Sequence, residues 1–191
     1  LDSPLAIRVT DVYQGSPEFL KPAIQKQIAE GDDIFAFEGL SFTETVKESK
    51  QIARYGGPKI IIAGSGMSHG GRIRTHEKQF LGDTNTTLLL VGYQGVGSVG
   101  RLMQDGAKSI WIDGMDVKIK AQIATIRGFS GHADRNQLID LVHRGEGDKA
   151  KQVFVTMGEE RASLFLTQRL RDYLGVNAIA PEENAEVEID F

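Results

Sequence analysis

Apolar positions along the chain follow two periods, and each switch between them marks an element. Leu5, Val9, Val12 and Tyr13 fall on one side of a helix that Ser3 caps and Pro4 opens. Ser16-Pro17 repeats that start signal, and Phe19, Leu20, Ala23, Ile24 and Ile28 keep helical spacing until Gly31 ends the run. Residues 34–37 read as a short strand or extended loop. Residues 43–54, rich in Glu, Lys, Gln and Ala, read as a helix stopped by Gly56-Gly57-Pro58.

Two apolar runs bounded by breakers, 59–63 and 87–91, have the character of strands buried on both faces of a parallel sheet. Each leads into a glycine-rich turn, and a short helix through 101–104 follows the second. Strand, turn and helix in repetition predict an α/β arrangement up to about residue 110. Beyond it, 109–112 and the alternating Val117, Ile119, Ala121 and Ile123 predict two strands, antiparallel or at a sheet edge. Ser130 or Asp134 caps a helix carrying Leu138, Ile139, Leu141 and Val142. A buried strand over 151–156, a helix over 159–174 ending at Gly175, and strands over 176–180 and 187–189 complete the pattern.

Composition narrows the chemistry. The chain has 191 residues, 22 Lys plus Arg against 26 Asp plus Glu, four His and no cysteine. That excludes a disulfide scaffold, a thiol nucleophile and a thiolate zinc site. No stretch approaches 18 consecutive apolar residues and no secretory leader pattern opens the chain, so a cytoplasmic protein without a membrane partner is the expectation. A net charge of −4 exerts no global pull on nucleic acid, although a local basic groove would still attract it. Five acidic residues within the last eleven positions read as a solvated edge.

Four segments stand out as candidate sites. Gly64-Ser65-Gly66-Met67-Ser68-His69-Gly70-Gly71-Arg72 follows a predicted strand, where exposed amides and nearby Arg72 and Arg74 suit an oxyanion; a simple chain reversal is the alternative. Gly92-Tyr93-Gln94-Gly95-Val96-Gly97-Ser98-Val99-Gly100-Arg101 offers the same geometry, with Arg101 facing a phosphate or merely the surface. On one edge the two loops make a groove. Phe129-Ser130-Gly131-His132-Ala133-Asp134 sets a titratable imidazole beside a carboxylate, suited to proton transfer or to capping alone. In Thr156-Met157-Gly158-Glu159, the thioether is a poor ligand for a borderline metal, and Glu159 suits a helix start.

Taken in order, Leu1-Asp2-Ser3-Pro4-Leu5-Ala6, Gly66-Met67 with Gly70-Gly71-Arg72, Val91-Gly92-Tyr93-Gln94 with Gly97 and Gly100-Arg101, and Gly128 through Asp134 resemble the beta-CASP family of metallo-beta-lactamase-fold RNA hydrolases. The resemblance runs over nearly the whole chain. It implies an α/β fold with a partial beta-CASP domain over 1–108, followed by the C-terminal part of a metallo-beta-lactamase αββα fold over 109–191. It implies RNA as the substrate and, in intact members, two zinc ions that activate water and offset phosphate charge. By the same resemblance His132 is the histidine beside the scissile phosphate, while Ser65, Arg72, Tyr93 and Arg101 belong to RNA-facing or structure-defining loops. Ser130, Asp134 and Glu159 take orienting or structural roles.

Two departures qualify what is implied. The family's H-x-H-x-D-H metal segment belongs to an N-terminal half, an expected partner that these residues do not contain. The family often carries His-Gly-Glu where this chain has Met157-Gly158-Glu159. No complete zinc site is therefore expected within this chain, and RNA contact without cleavage, or a protein-interaction module, is the alternative function. A sheet edge left open by the missing half would also permit a homo-oligomer.

Overall fold

The computed structural model describes residues 1–145 and 150–189, so Asp190 of the acidic C-terminal segment lies outside the described residues. The chain is α/β and forms two compact units, Leu1–Ser130 and Gly131–Phe191.

The first unit begins with α1 (Pro4–Gln14), whose Ser3 cap accepts the Ala6 amide. Pro22 divides the predicted second helix. Because a residue preceding proline disfavours helical geometry, Pro17–Phe19 forms only a 3-10 turn and Pro22 opens α2 (Pro22–Ala29) afresh. Residues 34–35 form a turn and 36–37 are irregular, with the Asp33 carboxylate accepting the Phe35 amide. Helix α3 (Val46–Gln51) starts three residues inside the predicted span, where Thr45 and Glu48 exchange reciprocal caps. Then come α4 (Ile73–Phe80), β1 (Thr87–Val91), α5 (Val99–Gln104), β2 (Ser109–Ile112), β3 (Met115–Lys118) and β4 (Gln122–Ile126).

β1 pairs in parallel with β4, setting Leu90 opposite Thr125, and β2 pairs antiparallel with β3. The single strand predicted through 117–123 is two strands serving different partners, because Lys120 and Ala121 turn aside to donate both amides to the Leu81 carbonyl. The β2–β3 loop is Asp113-Gly114, both at positive φ, the geometry that matches strand twist in a two-residue hairpin. Leu81, Met103, Ile110, Ile112 and Ala121 form the core, with Leu88, Val99 and Ile123 packed around them.

Three apolar runs of this unit are less buried than their patterns suggest. Residues 59–63 are not a strand: Ala63 makes one isolated parallel bridge to Asp2, and Ile60 and Ile62 are 91% and 59% exposed. A cavity of about 510 Å³ is lined by Pro58, Lys59 and Ile61 together with Phe80, Thr87 and Leu88, so the run is not zipped onto β1. β1 itself buries Leu90 but exposes Leu89 and Val91. The apolar stripe of α1 is likewise open, with Leu5, Val9 and Val12 exposed and Ile7 buried instead.

In the second unit, α6 (Arg135–Arg144), β5 (Val153–Phe154), α7 (Glu160–Leu174) and β6 (Ala178–Ile179) enclose Leu170, Val176 and Ala178, joined by Ile139, Val142 and Leu166. β5 and β6 are parallel. Asp134, and not Ser130, caps α6, in a reciprocal pair with Gln137. The strand predicted at 187–189 is absent. No helix among the described residues is long and apolar enough to cross a membrane.

Candidate functional site

The site begins from a buried carboxylate. Asp2 is 1% exposed, and four side chains converge on it from distant parts of the first unit. Its Oδ1 accepts from Thr43 Oγ1 at 2.7 Å and Arg72 Nη1 at 2.6 Å. Its Oδ2 accepts from Ser49 Oγ at 2.7 Å and lies 2.6 Å from His76 Nε2. Burial pushes the carboxyl up, but the hydrogen bonds from His76, Ser49, Thr43 and Arg72 together outweigh it and bring it down to about 2. Arg72 also donates to the carbonyls of Thr43 and Glu44, so its guanidinium ties α1, the start of α3 and the first glycine loop into one network.

Arg72 leads directly into α4, which continues the network. His76 and Glu77 are both buried, and the Ser68 hydroxyl donates to the Glu77 carboxylate. Burial raises the Glu77 carboxyl, with the Ser68 hydrogen bond and the Arg74 charge pulling the other way. Ser65 closes the loop on itself: its amide donates to the Gly70 carbonyl, and its hydroxyl accepts the Gly70 amide at 3.2 Å. Arg74 is held by Asp113, with Nη2 to Oδ1 at 2.7 Å.

The second glycine loop docks on the first. Gln94, buried, donates its side-chain amide to the Gly66 carbonyl at 2.9 Å, and the Gly100 amide donates to the Met67 carbonyl at 3.2 Å. Ser98 caps α5 by accepting the Arg101 amide, and Arg101 Nε forks onto both Asp105 oxygens at 2.9 and 3.1 Å. Tyr93 is exposed beside this loop. Gly100 is the contact point: a Cβ there would sit 1.8 Å from Gln94 Oε1. Gly100→Ala is expected to expel the Gln94 side chain and cost about 1–3 kcal/mol, measured by urea unfolding; a cost below roughly 0.5 kcal/mol would refute the contact.

Ser130 closes the first unit and His132 lies in the second, both exposed. Glu159, at the N-cap position of α7, and Met157 are in the second unit as well; Met157 is fully exposed and at φ 66°. A zinc pair does not fit the residues present. Among the described residues no group of three or more His, Asp or Glu side chains is placed to hold a metal ion, and a solvent-facing thioether does not replace imidazole. Sequence reasoning missed Asp2, His76, Glu77, Ser68 and Gln94 as individual contributors. Asp2 precedes a Ser-Pro helix start and Gln94 lies inside a glycine loop, but neither position alone marks a buried contact.

An α/β chain whose two glycine loops interlock over a buried carboxylate matches known families along most of its length. Residues 1–103 match the Beta-Casp domain, and residues 116–181 match the Zn-dependent metallo-hydrolase RNA specificity domain. The chain belongs to the Beta-Casp family. It is 36% identical over 170 residues to Ribonuclease TTHA0252 of Thermus thermophilus, covering 89% of this chain and 38% of that protein. It is similar to Transcription termination factor FttA of Thermococcus kodakarensis, 33% identical over 178 residues, with 90% and 27% covered. FttA of Methanocaldococcus jannaschii is 34% identical over 168 residues, with 85% and 26% covered. The chain thus spans between about a quarter and two-fifths of the length of these relatives.

Proposed function

We propose that this chain is the Beta-Casp and RNA-specificity portion, or a divergent form of it, of a zinc-dependent RNA phosphodiester hydrolase, and that it contacts RNA without holding a complete catalytic centre. The observation that carries the reading is the ordered pair of family matches over residues whose donors do not suit a zinc pair. The gap between the matches, 104–115, brackets the 108/109 division of the sequence, whereas the compact units divide after Ser130. The metallo-beta-lactamase half of the family is the partner we assign to the exposed run 59–63, with a second copy of this chain as the competing occupant.

Within that reading, His132 supplies a proton or positive charge at the leaving oxygen, where an uncompensated alkoxide is costly, and Ser130, Asp134 and Glu159 orient its segment. Ser65, Tyr93 and Arg101 belong to the phosphate-facing groove, which the docking of the two loops supports. Arg72 acts there as a positioning residue, since its donors hold Asp2 and two carbonyls. Zinc titration and an RNA cleavage assay on this chain test the proposal. The expected outcome is less than one tightly bound zinc per chain and no metal-dependent turnover; robust cleavage with two tight zinc ions would overturn it. Salt-sensitive RNA binding weakened at Arg101 supports the RNA-contacting role, and salt-independent or absent binding removes it.

A further inference from the structure

The exposed side of α7 carries a feature that the glycine loops do not explain. Arg161, Phe165, Arg169 and Tyr173 follow one another at intervals of four, so they form a single row along the helix, about 18 Å from end to end. Phe165 is 45% and Tyr173 63% exposed. The Arg169 guanidinium lies between the two rings, 4.9 Å from the Phe165 centroid and 5.2 Å from that of Tyr173, and its Nη1 donates to the Tyr173 hydroxyl at 2.6 Å. Arg135, at the start of α6, reaches the same Phe165 ring at 5.8 Å. Among the described residues no carboxylate pairs with Arg135, Arg161 or Arg169, whereas Arg72, Arg74 and Arg101 of the first unit are each neutralised by an aspartate.

We propose that this row is a stacking and phosphate-binding platform for single-stranded RNA. Alternating planar rings and guanidinium groups offer π-faces to unstacked bases, while the unneutralised arginines offer donors to the backbone between them. Arg169 is already held over both rings and bonded to the Tyr173 hydroxyl, so little side-chain freedom remains to be lost on binding. An acidic protein surface would use the arginines but would leave the exposed ring faces without a role, which favours RNA. The choice of RNA among polyanions rests on the function proposed above; the location of the platform rests on α7 alone.

Fluorescence anisotropy of a labelled mixed-sequence single-stranded RNA dodecamer with the full chain tests the platform. Phe165→Leu and Tyr173→Leu are each expected to weaken binding roughly 5- to 100-fold, with far-UV circular dichroism unchanged. Arg161→Gln and Arg169→Gln are each expected to lower the slope of log affinity against log salt by about 0.7. Affinity unchanged in the Phe165→Leu/Tyr173→Leu double variant while Arg101→Gln still weakens binding would overturn the platform and leave the family function standing. No RNA binding by the unaltered chain overturns both. Equal competition by an oligoglutamate peptide assigns the row to a protein partner and overturns the RNA platform.

Discussion

Asp2→Ala is expected to cost the first unit about 3–5 kcal/mol, the range for removing one partner from a buried ion pair. The loss follows from what stays behind. Arg72 and His76, with side chains only 16% and 4% exposed, keep their places near a vacant carboxylate, and Thr43 and Ser49 lose their acceptor. Trp111 lies on β2 in the first unit and is the only tryptophan, so its fluorescence in urea reports this unit. Hydrogen exchange along α7 serves as the control, with protection of the second unit expected to persist. A loss below about 1 kcal/mol would show that the network is incidental.

The charge itself has a pH signature. Folding lowers the Asp2 carboxyl from 3.8 to about 2, so the native state prefers the ionised form. Its contribution, about 2 kcal/mol, is complete above pH 4 and is lost as pH falls from there towards 2. Glu77 works with the opposite sign, because burial raises its carboxyl and protonation on the way down in pH favours the fold. Glu77→Gln removes that opposing contribution. In the Glu77→Gln background, adding Asp2→Asn is expected to cost about 2 kcal/mol less near pH 2 than at pH 6, and parallel stability curves would sink the assignment.

The elements that were legible in the sequence are those fixed by neighbours. The Ser3-Pro4 start of α1, the limits of β1 and β2, the Asp134 cap and the full length of α7 each depend on residues within four positions of one another. Asp2 depends on residues 41 to 74 positions away, and no local pattern distinguishes a hub from an ordinary helix-start carboxylate. Arg72 shows the consequence. Beside glycines it reads as an anion ligand, whereas its donors are taken by Asp2, Thr43 and Glu44. Residues 59–63 fail for the converse reason: their apolar pattern specifies burial on both faces, and burial needs neighbours that the described residues do not supply. The docking of the glycine loops was only half legible, since spacing placed both after strands but gave no sign that Gln94 would join them.

Gly71→Ala is expected to be the most damaging single methyl addition in the chain's glycine loops, at about 2–5 kcal/mol. Gly71 sits at φ 75°, where a side chain costs about 1–2 kcal/mol through contact with its own backbone. The new Cβ would also lie 2.4 Å from the Gly64 carbonyl oxygen and 2.9 Å from its carbon, and backbone has no rotamer by which to move aside. That same carbonyl accepts the Ile73 amide at 3.1 Å, so displacing it loosens the first turn of α4 and with it His76 and Glu77. Gly70 is the internal control. It stands next in the chain, at ordinary φ with nothing within 4 Å of a Cβ, and Gly70→Ala is expected to stay within about 0.5 kcal/mol of the unaltered chain. Urea unfolding followed at Trp111 compares the pair. Similar midpoints would mean that the Gly64–Gly71 contact does not constrain the loop; a Gly71-specific drop would show that this closure, and not glycine content as such, sets the edge on which the second loop docks.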